Sequence, residues 1–530
     1  MSSPDFERLE HRIRQIGRDI FARARRAEPS PLRLAWWQRQ FLDWVMQDES
    51  LKVQLFRFIE AMPQLRGPRA VAAHLRQYLR GERHNGRSLP PLIDVATGYS
   101  SDDSVHARAV ALAAQVGSMQ MAGQFIAGAT PAEAVASILR LRRAGMTFTL
   151  DVLGETVLCG ADADAFARLY LELIDALSES APAWPANPLL DAAPFGPLPR
   201  VNLSIKLSAL SPKFDPLAAE RVTEAILGRL RPVLRRAREK GAFVNIDMEH
   251  YAVKDLTYDI FMRVMSEPEF RDWDDVGIVN QAYLRDSERD LRRLIAWVRQ
   301  RGTPITVRLV KGAYWDYETA QAVVRRWPIP VWTDKWRSDR HFERQAGVLL
   351  DNHEWTRPAL ASHNVRSLAA AMAMAEQKGV PPRTLEVQML YGMGDPLKQA
   401  LIELGQRVRI YTPFGELMPG MAYFIRRLLE NTANEGFLRQ SFSEHVPEDV
   451  LLAPPGPRPD RRRTPLPQAH AYDPDEDDPM TPFLNEPDTD FTDARVRRHM
   501  ADVLRTLPRD ERLPAFVAGR RCEGGAWHEC

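Results

Sequence analysis

A chain of 530 residues, 45% hydrophobic and 27% charged, is long enough for two or more domains. Its 71 basic side chains almost balance 70 acidic ones, which excludes the broad electrostatic hold on nucleic acid that a basic surface provides. The cysteines Cys159, Cys522 and Cys530 have no metal-ligand spacing and form no disulfide framework, so no metal site and a reducing, cytoplasmic setting are expected.

The N-terminal MSSPDFERLEHRIRQ is charged from the start and lacks the apolar run of a signal peptide, so secretion is not expected. Apolar residues at three-to-four spacing predict helices over Phe6–Arg26, Leu34–Met46, Leu51–Ala61 and Ala70–Leu79. Arg23, Arg25 and Arg26 read as a solvated face of the first. The least polar window, Ala109–Leu139, is broken by Gln115, Ser118, Gln120, Gln124 and Glu133, and reads as buried helix instead of a membrane span. The expected organisation is a helical arm over 1–85 and a helical accessory domain over 86–145.

From Met146 the texture changes. Short β-branched or apolar runs alternate with longer amphipathic ones: MTFTLDV at 146, VNLSIKL at 201, FVNIDME at 243, GIVNQAYL at 277, ITVRLVK at 305, PALASHN at 358, LEVQML at 385 and VRIYTP at 408. Helices are predicted between them over Ala218–Lys240, Ser287–Arg301, Phe342–Asn352, Ser367–Lys378 and Pro396–Gly405, with another starting near Pro419. Such strand-helix units over 146–450 predict an α/β fold of the (β/α)8 TIM type, which takes about 250 residues. No GxGxxG follows an early strand, which disfavours a doubly wound dinucleotide fold.

The carboxyl ends of barrel strands face the active site, and here they are polar: Asp151, Lys206, Asp247 with Glu249, Gln281, Arg308 with Lys311, His363 with Asn364, Tyr391 and Tyr411. Beyond the last strand, MAYFIRRLLENTANE sets Arg426 and Arg427 one helical turn from Glu430. Paired guanidiniums grip a carboxylate and a nearby acid suits a cation, so the trio fits a zwitterion such as an amino acid; the alternative is a surface salt bridge. His363 has no HxxH partner and no GxSxG elbow exists, which leaves zinc or serine hydrolysis without support. Lys206 would serve a Schiff-base lyase if burial lowered its pKa. VRLVKGAYWDYE instead suits a phosphate-bearing aromatic cofactor, with Arg308 and Lys311 as cations, Gly312 for close approach and Trp315 as a flat face; Lys335 and His363 add donors.

The motifs SIKLSAL, FVNIDMEH, VNQAY, VRLVKGAYW, SHN, LYGMGDP, RIYTP and YFIRRLLENTAN, spread over about 85–450, resemble the FAD-dependent proline dehydrogenase domain of the bifunctional proline utilization flavoproteins. The resemblance implies oxidation of L-proline to pyrroline-5-carboxylate by hydride transfer to flavin N5. It implies Lys206, Asp247, Arg308 and Tyr411 as the catalytic group. It further implies that Arg426 and Arg427 take the proline carboxylate beside Glu430 and that Tyr314, Leu390 and Tyr423 complete the pocket. For FAD it implies Arg308 near the reactive ring, Gln281 and Lys311 at ring or ribityl groups, and Gly312, Trp315, Lys335, His363 and Asn364 around the remainder. Electrons would pass to a membrane quinone, which makes the expected protein cytoplasmic with peripheral contact at the inner membrane, and a homo-oligomer is compatible with this. The alternatives are the Lys206 lyase and a noncatalytic amino-acid-binding protein.

Residues 451–480, LAPPGPRPDRRRTPLPQAHAYDPDEDDP at their heart, read as a linker rich in proline and charge. The stretch 481–530, with MTPFLNEPDTDFTD and AFVAGRRCEGGAW, resembles the start of the aldehyde dehydrogenase half of the same proteins. The chain ends at Cys530, so the second activity is expected to be absent from it and to come, if at all, from a separate aldehyde dehydrogenase partner. Neither a ribbon-helix-helix module nor a repressor role is expected.

Overall fold

The computed structural model describes residues 3–27, 64–80, 125–153, 157–416, 446–457 and 486–507, with scattered residues between 54 and 61 and between 104 and 112, and the short stretches 515–517 and 520–522. The predicted helices Leu34–Met46 and, for the most part, Leu51–Ala61 lie outside the described residues, as does the one near Pro419.

In chain order, α1 (Ser3–Arg26) and α2 (Gly67–Arg80) precede α3 (Pro131–Arg143). Thr130 and Glu133 form a capping box at the start of α3, whose proline sits in the first turn, where its missing N–H is harmless. The repeating units follow: β1 (Thr147–Val152), α4 (Gly160–Ser180), β2 (Asn202–Ile205), α5 (Ala219–Glu239), β3 (Phe243–Ile246), α6 (Lys254–Met265), β4 (Val276–Gln281) and α7 (Ser287–Arg301). Next come β5 (Ile305–Val310), α8 (Trp315–Arg325), α9 (Lys335–Asp351), β6 (Thr356–Ala361), α10 (Val365–Gln377), β7 (Glu386–Leu390), α11 (Asp395–Glu403) and β8 (Arg407–Phe414). A last helix, α12, spans Ala494–Thr506.

Each strand pairs in parallel with its sequence neighbours, and β1 pairs with β8, so eight strands close a barrel. The fold is the expected (β/α)8 type with a helical N-terminal region. All eight predicted strands form. The reading missed α4, α6 and α8, and the helix predicted from Phe342 begins earlier, at Lys335.

Most strands alternate. In β8, Val408 and Ile410 are buried in the apolar shell beneath the helices, whereas Arg407, Arg409 and Tyr411 make polar contacts inside the barrel. Fully buried parallel strands usually read as continuous apolar runs. Here much of the interior is polar, with polar layers at both ends, and the alternation in β8 records that.

Helix α1 is docked on this unit. Its Ile13, Ile16, Ile20 and Phe21 are buried in the same core as α10 and α11, which α1 touches directly. Arg366 of α10, itself buried, forks onto Glu10 of α1 at 2.6 and 2.7 Å and onto Glu343 of α9 at 3.0 and 3.1 Å.

Candidate active site

The β2, β3, β5 and β8 ends converge on one carboxylate. Arg308 Nη1 donates to Asp247 Oδ1 at 2.6 Å, Asn245 Nδ2 donates to the same oxygen at 3.0 Å, and Tyr411 OH donates to Oδ2 at 2.6 Å. Arg308 Nη2 reaches Ser204 Oγ at 2.9 Å, and Ser204 Oγ lies 3.1 Å from Thr149 Oγ1. The Arg308 guanidinium also sits 5.3 Å from the centre of the Tyr411 ring, within cation–π range. Charges this deep persist only when paired and hydrogen-bonded, and here the pairing comes from four different strands.

Lys206, just past β2, contacts Asp151 Oδ1, lies 3.3 Å from Tyr411 OH and 4.0 Å from Asp247 Oδ2, and keeps 27% of its side chain exposed. Burial opposes its ammonium, but Asp151 first and Asp247 second outweigh burial and push its pKa above the ordinary lysine range. A Schiff-base nucleophile needs the opposite shift. The two carboxylates beside Lys206 therefore disfavour the lyase alternative. Burial pushes the Asp151 carboxyl up, against the pull of Lys206.

Around this centre lies an arc from β3 to β7. Glu249 accepts from the Ser208 amide at 3.1 Å and its hydroxyl at 2.5 Å, and the Glu249 carbonyl accepts from Gln281 Nε2 at 3.1 Å. Lys311 and Lys335 both grip Asp339, the latter at 2.9 Å. Burial works against the Asp339 carboxylate, but the two lysines bring it down to about 2, while burial lowers the Lys311 pKa. His363 Nε2 accepts from the Leu390 amide at 3.3 Å, which makes Nδ1 the protonated nitrogen of the neutral ring. Asn364 caps α10, its Oδ1 accepting from Ser367 N at 3.1 Å.

Two residues of VRLVKGAYW are used differently from the sequence reading. Gly312 has φ +132°, and a Cβ there would lie 2.3 Å from the Tyr283 ring, so close approach at this glycine is by Tyr283 of the same chain. Trp315 donates its indole N–H to the Trp332 carbonyl at 2.9 Å and packs against Tyr283, Leu284 and Val331. Tyr314 precedes α8 and Leu390 ends β7, both half-buried. Tyr423, Arg426, Arg427 and Glu430 lie outside the described residues.

The reading missed Ser204, Asn245 and Thr149, whose signal was inward register between aliphatic neighbours, as in NLSI and FVNI. It also missed a second polar layer at the opposite end of the barrel. Glu386 accepts from Arg409 at 2.7 and 2.9 Å, from Arg407 at 2.9 Å and from Gln388 at 2.8 Å, all of them buried. Among the described residues no cluster of histidine, cysteine or acidic side chains could hold a metal ion, and no helix is long and apolar enough to cross a membrane.

Comparison with known proteins gives the geometry a context. The proline dehydrogenase family model matches residues 134–440, and that of the proline utilization A N-terminal domain matches 10–125. The chain is 32% identical over 379 residues to bifunctional protein PutA of Klebsiella aerogenes, covering 70% of this chain and 28% of that protein. Proline dehydrogenase 1 of Bacillus subtilis (strain 168) is 29% identical over 317 residues, covering 60% of this chain and 89% of that one. The chain thus spans less than a third of the bifunctional relative and most of the shorter one. Among solved structures, proline utilization A from Bdellovibrio bacteriovorus, inactivated by N-propargylglycine, superposes with a TM-score of 0.84 at 38% identity over 98% of this chain and 50% of that one. A variant of the Bradyrhizobium japonicum protein superposes with a TM-score of 0.64 at 25% identity, over 86% of this chain and 46% of that one. The chain belongs to the proline dehydrogenase family.

Proposed function

We propose that this chain oxidises L-proline to pyrroline-5-carboxylate with FAD as hydride acceptor. The observation that carries the reading is an incomplete hydrogen-bond set at the carboxyl end of the barrel. Arg308 Nε, a donor on β5, and Gln281 Oε1, an acceptor on the neighbouring β4, are buried and find no partner among the described residues. Buried polar atoms are rarely left unpaired, so the pair calls for a ligand edge offering both acceptors and a donor. The pyrimidine edge of a flavin is of that kind, and the residues fit it.

In this reading Gln281, Arg308, Lys311, Lys335, His363 and Asn364 hold the cofactor, with Gly312 and Trp315 alongside. The bound flavin supplies the two-electron acceptor at N5. Arg426 and Arg427 fix the substrate carboxylate and Glu430 aligns them. Tyr314, Leu390, Tyr411 and Tyr423 wall the ring, so that orientation does most of the catalytic work. Asp247, with both oxygens already taken by Arg308, Asn245 and Tyr411, organises these donors instead of acting as a free base. Lys206 stays charged and balances Asp151. Electrons leave to a quinone at the inner membrane, touched peripherally by a cytoplasmic protein. The partition proposed for the chain is arm 1–85, accessory helices 86–145, barrel 146–450, linker 451–480 and an aldehyde dehydrogenase-like segment 481–530.

Purified protein incubated with FAD should acquire a visible flavin band that L-proline bleaches under anaerobic conditions. A protein that stays colourless, or whose flavin proline does not reduce, overturns the proposal.

A further inference from the structure

Arg308 has five N–H donors in a rigid plane, and how that plane is turned decides which of them a ligand meets. One hydrogen of Nη1 goes to Asp247 at 2.6 Å and one of Nη2 to Ser204 at 2.9 Å. Nε is left over. A plane pinned at two separate nitrogens cannot rotate, and the two pins come from different strands, β3 and β2.

Ser204 is the less expected of the two. It is fully buried, it faces the interior between the outward aliphatics Leu203 and Ile205, and its hydroxyl is backed by Thr149 Oγ1 at 3.1 Å on β1. A larger residue in this register would fill the space that the guanidinium uses. Alanine would leave Nη2 without its partner. Its two hydroxyl contacts therefore do one thing: they fix the far edge of Arg308.

The geometry points to Ser204 as a positioning residue that turns Arg308 so that its unpartnered Nε–H, and not its Nη fork, is presented to the flavin. The inference rests on the flavin reading above. It follows that Ser204 tunes the cofactor without touching it: a donor fixed beside the ring favours the reduced, electron-rich flavin, and a donor free to turn favours it less.

The test is a double-mutant cycle on the FAD-loaded protein, read by the midpoint potential in an equilibrium dye titration and by FAD affinity, with Ser204→Ala, Arg308→Met and the pair. Ser204→Ala should move the potential to more negative values and weaken FAD binding by about tenfold, the size expected from one hydrogen bond to a charged group. Neither quantity should change further when Ser204→Ala is added to Arg308→Met. Ser204→Cys, which keeps the volume with a poorer acceptor, should fall between wild type and alanine and guards against a variant that fails to fold. Two results overturn this role alone: an unchanged potential in Ser204→Ala, or an equal shift in the Arg308→Met background. A wild-type protein that takes up no FAD overturns the flavin reading and this role with it.

Discussion

Burial works against the Lys206 ammonium, and Asp151 with Asp247 outweighs it. The expected consequence is low reactivity toward aldehydes near neutral pH. Reductive methylation with formaldehyde and borohydride at about pH 8 should modify the exposed Lys213 and Lys240 and spare Lys206, as peptide mapping by mass spectrometry would reveal. Asp151→Asn, which removes the nearer carboxylate, should make Lys206 reactive. Modification of Lys206 in the wild type as fast as Lys240 would contradict its charged state. The sequence revealed that Lys206 ends a strand, because the run VNLSIKL breaks from aliphatic to basic there. It did not reveal which way the pKa moves, because the deciding carboxylate is 55 residues away and only the parallel pairing of β1 with β2 brings it near. Gly312 is a similar case: its need for no side chain was legible, but the neighbour that imposes it was not.

At the scale of elements, β7 and β8 carry the barrel's second polar layer. Glu386 feels burial first, which opposes its charge, but Arg409 and Arg407 outweigh it and bring the carboxyl down to about 2. Glu386→Gln leaves two buried guanidiniums without a counter-charge and should cost about 3–5 kcal/mol in urea unfolding at neutral pH. The sign with pH follows from the depressed value. The folded form binds the proton less readily than the unfolded chain, so the stabilisation is complete above the ordinary glutamate range near pH 4.5 and drains away as pH falls toward 2. Wild type and Glu386→Gln should therefore converge in stability on acidification, and parallel curves would refute the pairing. The strands themselves were legible from their runs. This layer was not, since Glu386 is about twenty residues from Arg407 and Arg409 in sequence and only parallel pairing sets it beside Arg407.

For the whole molecule the question is whether the N-terminal arm is an appendage or part of the barrel's cooperative unit. Three of its ion pairs to the barrel and the 446–457 segment, Arg12 with Glu376, Arg18 with Asp449 and Arg25 with Glu448, join largely exposed side chains and contribute little. The apolar face and the Arg366 fork are different, because both are buried in the core that α10 and α11 share with the strands. Burial outweighs solvent-exposed charge in magnitude, which separates the two contributions experimentally. Ile20→Ala should cost about 2–5 kcal/mol, the range for a fully buried isoleucine, whereas Arg18→Ala, at a solvent-exposed ion pair, should leave the unfolding midpoint nearly unchanged. If α1 belongs to the unit, Ile20→Ala also lowers the unfolding midpoint seen by tryptophans of the barrel, such as Trp273 and Trp297, by the same amount as the midpoint seen by helical circular dichroism. Separate midpoints, with the barrel signal unmoved, would show an arm that folds apart from the barrel on which it is docked.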